Sequence, residues 1–409
     1  MSAVNAIYAQ AGGVTSVINA SAVGLIRAWR KLQQPGKLFA AHDGVLGALD
    51  DMLFDTGAFT SDDLARLACT PGGAFGACRH VLNDADLARL LDVFRTHDIG
   101  YFFYNGGGGS AHACLDIARA ARAAGYPLIT AHIPKTIDND LPHTDCCPGF
   151  GSTAKYLATA IQEASLDLAS MSRSSSKVFI LETMGRYAGW LTAACGLASR
   201  APEEGPHLLL CPEIAFDEVR FLAKVQATVD TIGYCSIAVA EGLADADGQP
   251  IHAIGERDAA GDRQLGGIAP LLARLLTSRL GYKCHWAVAD YLQRAARHLA
   301  SATDCAQAEA VGRAAIELAL AGQRDFMPAI RRLADAPYRW DIVPVPLAQV
   351  ITGDRLLPRE FLDEEGFHLS VAGRRQLQPL IEGEAYPPFR DGLPDYFQPQ
   401  FGWHAKARR

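Results

Sequence analysis

The loop Ile133–Asp140, IPKTIDND, carries one lysine, one hydroxyl and two carboxylates in a single short stretch. Phosphoryl transfer needs positive charge on the transferring group and a carboxylate near the acceptor hydroxyl. Lys135 and Asp138 supply both types, although the same residues also suit an ordinary polar loop. Four other stretches are compatible with anions. In AQAGGVTSVINA, Gly12 and Gly13 permit close backbone approach ahead of a helix whose first amides are free, or simply make a tight turn. In TPGGAFGACR, three glycines precede Arg79, a guanidinium aimed at phosphate or a surface residue after a turn. In YNGGGGS, Gly106 to Gly109 and Ser110 form either an amide nest or a hinge. This loop lacks the lysine of a Walker A sequence, which excludes a P-loop. In LETMGRYAGW, a Gly-Arg pair combines backbone amides with one fixed charge. Downstream lie CPE, AEG and DYLQRAARH, the last placing Arg294 and Arg297 near Lys283 and His285.

These loops need a frame that presents them together. Asn5–Gln10, Tyr101–Tyr104, Pro127–His132, Lys177–Glu182, His207–Cys211 and Cys235–Ala240 are apolar runs of strand length, separated by helical patterns such as Val17–Leu32. The alternation predicts βαβ units and mostly parallel sheets covered on both faces. Ligands of such sheets bind in the loops after the carboxyl ends of strands, where most of the motifs above fall. The Pro-rich tail from about Ile351 predicts irregular packing against the body.

Bulk properties narrow the class. The 409 residues predict two or three domains, and 49% hydrophobic residues allow a sizeable core. A net charge of -7 argues against a general nucleic-acid binder. The ten cysteines include no CxxC pair, so a structural zinc site lacks support and a reducing cytoplasm suits them. No signal peptide or stretch of 18 apolar residues is expected, so neither is a membrane span.

Taken in order, IPKTIDND, PGFGS, MGRYAGW and YLQR resemble the phosphofructokinase family, most closely its pyrophosphate-dependent bacterial branch, over about Ala9 to Arg297. The resemblance implies that Asp138 takes the proton from the sugar 1-hydroxyl, with Thr136 and Ile137 touching the sugar phosphate in the same loop. It implies that Gly13, Gly108, Gly109 and Ser110 bind the donor, and that Arg79 reaches the transferring phosphate. Met184, Gly185, Arg186, Glu241, Tyr291, Leu292, Gln293 and Arg294 match the family's sugar-phosphate site, Arg294 meeting the 6-phosphate. Lys135 stands where ATP users have glycine and pyrophosphate users lysine. Pyrophosphate has no nucleoside to anchor it, so a charge must hold the leaving phosphate. The sequence departs from the family at Gly108 and Gly109, where a metal-binding aspartate is expected, leaving Asp140 as a substitute ligand. Lys177 and His285 stand where ATP-type enzymes place arginines from a neighbouring subunit.

The implied architecture is α/β, with two Rossmann-like lobes, mostly parallel sheets and an active-site cleft between them. Residues 1–148 plus 295–350 form the expected phosphoryl-donor lobe, 149–294 the sugar-phosphate lobe, and 351–409 an extension packed on the body. The expected reaction uses Mg²⁺ and pyrophosphate to convert fructose 6-phosphate reversibly to fructose 1,6-bisphosphate, with sedoheptulose 7-phosphate as another conceivable sugar. The expected assembly is a homodimer or homotetramer without nucleic acid or membrane. Two alternatives are an ATP-dependent kinase and an impaired or regulatory paralogue that keeps sugar-phosphate binding.

Overall fold

The computed structural model describes residues 4–32, 36–257, 263–399 and 404–405; the remaining end of the predicted C-terminal extension lies outside the described residues. The strands, in chain order, are β1 (Asn5–Gln10), β2 (Leu38–Ala41), β3 (Met52–Asp55), β4 (Ile99–Gly106) and β5 (Ile129–Pro134). There follow β6 (Val178–Thr183), β7 (Leu208–Leu210), β8 (Cys235–Ala240), β9 (Ala253–Arg257), β10 (Arg263–Leu265) and β11 (Cys284–Val288). The last long strands are β12 (Phe326–Asp335) and β13 (Tyr338–Pro346). The chain divides into two compact units, one of residues 1–152, 295–354 and 383–409, the other of residues 153–294 and 355–382.

The first unit is built on a sheet of order β13-β12-β5-β4-β1-β2-β3, extended by the short strand His404–Ala405. β2, β1, β4, β5 and β12 run parallel, while β3 and β13 add antiparallel strands on either side. Because helices cover both faces of a parallel sheet, its central strands are apolar throughout rather than alternating. Ile7, Phe102, Phe103 and Ala131 are accordingly fully buried. The helix Ile18–Arg30 crosses the helix Ala302–Leu320 at two glycines. A Cβ on Gly24 would lie 2.0 Å from the Glu309 carbonyl oxygen, and one on Gly312 2.0 Å from that of Ser21. Only glycine permits this approach.

The second unit has a smaller parallel sheet, β11-β6-β8-β7, with its own core around Ile180, Ile237, Val239 and Leu272. The tail beyond residue 354 is mostly irregular and divides between the units: 355–382 packs in the second and 383–399 in the first. None of the ten cysteines forms a disulfide. No helix among the described residues is long and apolar enough to cross a membrane.

Candidate functional site

In the first unit, β1, β4 and β5 are neighbours, so the loops that leave their carboxyl ends converge. The β1 loop is tied by Gly12 N–H to the Cys78 carbonyl at 2.9 Å, with Gly12 at φ +69°. Cys78 immediately precedes Arg79, so this bond holds the backbone leading into Arg79, an exposed residue, beside the first glycine loop. Lys135 follows β5. Its N–H donates to the Gly106 carbonyl at 3.0 Å, and its ammonium donates to the Gly13 carbonyl at 2.5 Å. Lys135 is only 3% exposed, which places a buried cation at the meeting point of all three loops. Burial of charge is costly unless it is paired, and the Asp140 carboxylate lies near enough to interact with this ammonium.

The four glycines behave differently from one another. Gly106 ends β4 and Gly107 caps the helix Gly108–Ala123 without any side-chain hydrogen bond. The first-turn amides therefore have no side-chain acceptor from the cap and are suited to an anion. A Cβ at Gly108 or Gly109 would meet nothing within 4 Å, so both positions border open space. The Ser110 hydroxyl turns inward, donating to the Gly107 carbonyl at 2.7 Å and lying 3.1 Å from His132 Nε2. Burial pulls the His132 pKa down to about 3, with the nearby Lys135 charge acting in the same direction, so the ring is neutral.

The β5 loop holds its carboxylates on a fixed backbone. Asp138 N–H donates to Thr136 Oγ1 at 3.1 Å, and Asn139 Oδ1 accepts from Cys147 N–H at 2.9 Å. Thr136 bridges to Gly149 of PGFGS, and Ile137 is buried beneath. Buried Asp304 then caps the next helix, accepting from Gly149 and Ser152 N–H at 2.9 Å each. Asp140 Oδ1 is buried without a hydrogen-bond partner. Burial raises the Asp140 pKa, with the Asp354 charge adding to it.

In the second unit, Met184, Glu241 and the DYLQR segment follow β6, β8 and β11, again three adjacent strands. The Gly185 carbonyl accepts from Gly242 N–H at 3.2 Å. A Cβ on Gly242 would sit 1.9 Å from the Arg186 carbonyl oxygen, so AEG and MGR are locked together at this glycine. Burial raises the Glu241 pKa, while the Arg186 guanidinium pulls it back. Gln293 is 1% exposed, accepts from Met184 N–H at 3.2 Å and donates to the Asp290 carbonyl at 3.0 Å. Its amide thus positions the MGR backbone, whereas Tyr291 and Leu292 are exposed. The Arg294 guanidinium lies 3.8 Å from the Tyr291 ring centroid, a cation–π pair that presents a fixed charge. Lys177, by contrast, donates to the Ser172 carbonyl at 2.5 Å and closes a helix end.

The structure thus gathers the motif residues into two groups, one in each unit. Sequence reasoning missed three organising residues. His132 lies on β5 just before the lysine loop, Asp304 caps PGFGS from a helix distant in sequence, and Glu182 accepts from Gly267 and Ala269 N–H at 2.9 and 2.8 Å. An acid at the end of the apolar run KVFILE was the available signal for Glu182.

Residues 5–319 match the family model described as Phosphofructokinase. A relative from Methylococcus capsulatus, named pyrophosphate–fructose 6-phosphate 1-phosphotransferase, is 53% identical over 97% of this chain and 96% of its own. One of the same name from Halomonas elongata is 53% identical, covering 95% and 94%. The crystal structure of the pyrophosphate-dependent phosphofructokinase from Nitrosospira multiformis superposes with a TM-score of 0.91 at 50% identity, covering 99% of this chain and 98% of that one.

Proposed function

From the premise that this chain belongs to the phosphofructokinase family, we propose that it transfers a phosphoryl group from pyrophosphate to the 1-hydroxyl of fructose 6-phosphate. The products are fructose 1,6-bisphosphate and phosphate, and the step is reversible and cytoplasmic. The observation that carries the donor assignment is the buried Lys135 ammonium at the junction of the β1, β4 and β5 loops. It fills the position a nucleoside triphosphate would need and supplies charge for the leaving phosphate. The relatives matched over nearly their whole length are named pyrophosphate–fructose 6-phosphate 1-phosphotransferase, which gives the impaired-paralogue alternative no support.

Asp138 accepts the proton of the sugar hydroxyl. Lys135 and Arg79 stabilise charge on the transferring and leaving groups, and Gly13, Gly108, Gly109 and Ser110 shape the donor cradle. Thr136 and Ile137 line the acceptor side. Met184, Gly185, Arg186, Glu241, Tyr291, Leu292 and Arg294 hold the sugar phosphate, and Gln293 orients Met184. A homodimer or homotetramer is supported by edge strand β11, which has no outer partner strand among the described residues and exposes Trp286 (48%) and Val288 (46%).

The family's divalent metal is read here as Mg²⁺. Among the described residues, no group of three or more His, Cys, Asp or Glu side chains is arranged to hold a metal ion. The unpartnered buried Oδ1 of Asp140 is nonetheless an oxygen ligand of the required kind, beside Asp138. These residues fit a cation held largely by the substrate's phosphate oxygens. When bound, Mg²⁺ neutralises charge on the bridging phosphates. Restoring side-chain oxygens at the glycine loop tests this. Both positions have open space, and acids in a helix's first turn are favourable. Gly108→Asn with Gly109→Asp is expected to raise turnover and reduce the Mg²⁺ concentration needed for half-maximal rate. An unchanged Mg²⁺ requirement would show that these positions do not border the cation.

The reading itself is tested by a donor screen of pyrophosphate, ATP and ADP with fructose 6-phosphate and Mg²⁺. Pyrophosphate is expected to give the fastest turnover. Equal or faster turnover with ATP overturns the donor assignment.

A further inference from the structure

The segment Thr70–Arg79 leads Arg79 to the first glycine loop on a backbone with little stiffness of its own. Gly72 and Gly76 sit at φ +74° and +73°, the left-handed region that favours glycine. A Cβ on Gly73 would come within 2.8 Å of Gln10 Oε1. Three glycines leave the segment many conformations, so its path is set by the groups that grip it. Towards its ends, Phe397 N–H donates to Thr70 Oγ1 at 3.0 Å and Gly12 N–H to the Cys78 carbonyl at 2.9 Å. Asp43 N–H holds the Phe75 carbonyl at 2.8 Å. The stretch from Thr70 to Ala74 is gripped by the side chain of Asn19, and all of these groups belong to the first unit.

Asn19 is fully buried in the first turn of the helix Ile18–Arg30. Its amide nitrogen donates to the carbonyls of Thr70 at 2.9 Å and Gly72 at 2.8 Å, and its Oδ1 accepts from Ala74 N–H at 3.0 Å. Two carbonyls and one N–H fix the orientation of the carboxamide, and no other side chain of this length offers two donors and an acceptor in one plane. Asparagine is an indifferent helix former, so its place here is not explained by the helix itself. Its partners lie 51 to 55 residues along the chain, all in the segment that leads to Arg79. The helix is in turn fixed by the close crossing at Gly24 and Gly312, and the stretch just before it supplies Gly12 and Gly13. One continuous stretch therefore seats both the first glycine loop and the arginine segment.

We propose that Asn19 is a positioning residue for phosphoryl transfer: its carboxamide holds residues 70–74 so that the segment delivers the Arg79 guanidinium to the transferring phosphate. The inference rests on the role given to Arg79 above. Asn19 itself touches no substrate and acts through the backbone that ends in Arg79. A charge preorganised for the transition state loses most of its value when displaced, and a shift of about 1 Å can cost about 10²-fold in rate. The Phe397 and Gly12 bonds keep the segment attached when the amide is lost, so the loss is one of aim. It appears in kcat rather than in KM, because the interaction is realised in the transition state.

The test is a double-substitution cycle on the full chain, read as steady-state turnover with pyrophosphate and fructose 6-phosphate. Arg79→Ala alone is expected to lower kcat by about 10²–10³-fold, as for loss of one preorganised donor. Asn19→Ala alone is expected to lower kcat by about 10–100-fold, with the KM for pyrophosphate within about threefold of the parent. In the Arg79→Ala background the same substitution is expected to cost less than about twofold, since no guanidinium remains to be aimed. A merely structural role would give the full loss in both backgrounds. Asn19→Asp repeats the cycle without opening a cavity: it keeps the acceptor for Ala74 N–H, lacks the two amide donors, and is expected to follow Asn19→Ala. If Asn19→Asp slows the Arg79→Ala enzyme as much as it slows the parent, or leaves the parent's turnover unchanged, the inference is wrong while the role of Arg79 stands. Near-parental turnover of Arg79→Ala removes Arg79 from the reaction and this inference with it.

Discussion

Asp138→Asn is expected to lower turnover by about 10²–10⁴-fold, the usual contribution of a positioned general base. Several contacts that hold the loop do not involve the substituted carboxylate: Asp138 N–H on Thr136 Oγ1, Cys147 N–H on Asn139 Oδ1, and the Thr136–Gly149 bridge. Asparagine therefore keeps the shape of the loop but cannot accept the hydroxyl proton. Equilibrium binding of fructose 6-phosphate is expected to change by less than about threefold, because the charged sugar-phosphate residues lie in the segments that follow β6, β8 and β11. Steady-state turnover and equilibrium binding, measured on the same preparation, separate the two effects. Near-parental turnover would make Asp138 a structural residue and remove it from the mechanism.

Lys135→Met is expected to lower turnover with pyrophosphate by about 10²–10³-fold, comparable to losing one preorganised transition-state donor. Methionine keeps an unbranched apolar stem in a position that is 3% exposed, while removing the ammonium that reaches the Gly13 carbonyl. The loss should appear in both reaction directions, since the same charge faces the phosphate that leaves and the phosphate that attacks. Lys135→Gly should lose at least as much and additionally loosen the β1 loop. A Lys135→Met enzyme within about threefold of the parent would assign the lysine to packing alone.

Strands that are apolar because both faces are covered were legible, as β8 at Cys235–Ala240 shows. The predicted run Pro127–His132 is displaced to Ile129–Pro134 for a local reason. Tyr126 donates its hydroxyl to the carbonyls of Phe94 and Ile99, and Leu128 N–H turns back on the Tyr126 carbonyl, which keeps these residues out of the ladder. The β12–β13 hairpin escaped notice because its distal half is charged and partly exposed, so its pattern resembles a loop. Within the site, lysine and aspartate in one loop were readable because chemistry demands those types together. Glu182, Asp304 and His132 were not, because the groups each one holds lie far along the chain or across a strand. The inward turn of Ser110 was equally invisible, since nothing local distinguishes a hydroxyl that faces a ligand from one that closes a turn.

The glycine-to-backbone crossing of the helices Ile18–Arg30 and Ala302–Leu320 has a consequence for biosynthesis. The second unit's main body, residues 153–294, is one continuous stretch, whereas the first unit needs partners from both sides of it. At the usual 5–20 residues per second, roughly 10–40 s separate the emergence of β5 from that of β12, which covers its edge at Phe326 beside Ala131. Throughout that interval the nascent first unit holds an open strand edge and an unfilled helix seat. The later-made body can complete its sheet while the earlier-made one waits, so the order of folding runs against the order of translation. Slowing synthesis within residues 153–294 should therefore prolong exposure of the amino-terminal segment to chaperones and proteases, whereas slowing it after residue 346 should not.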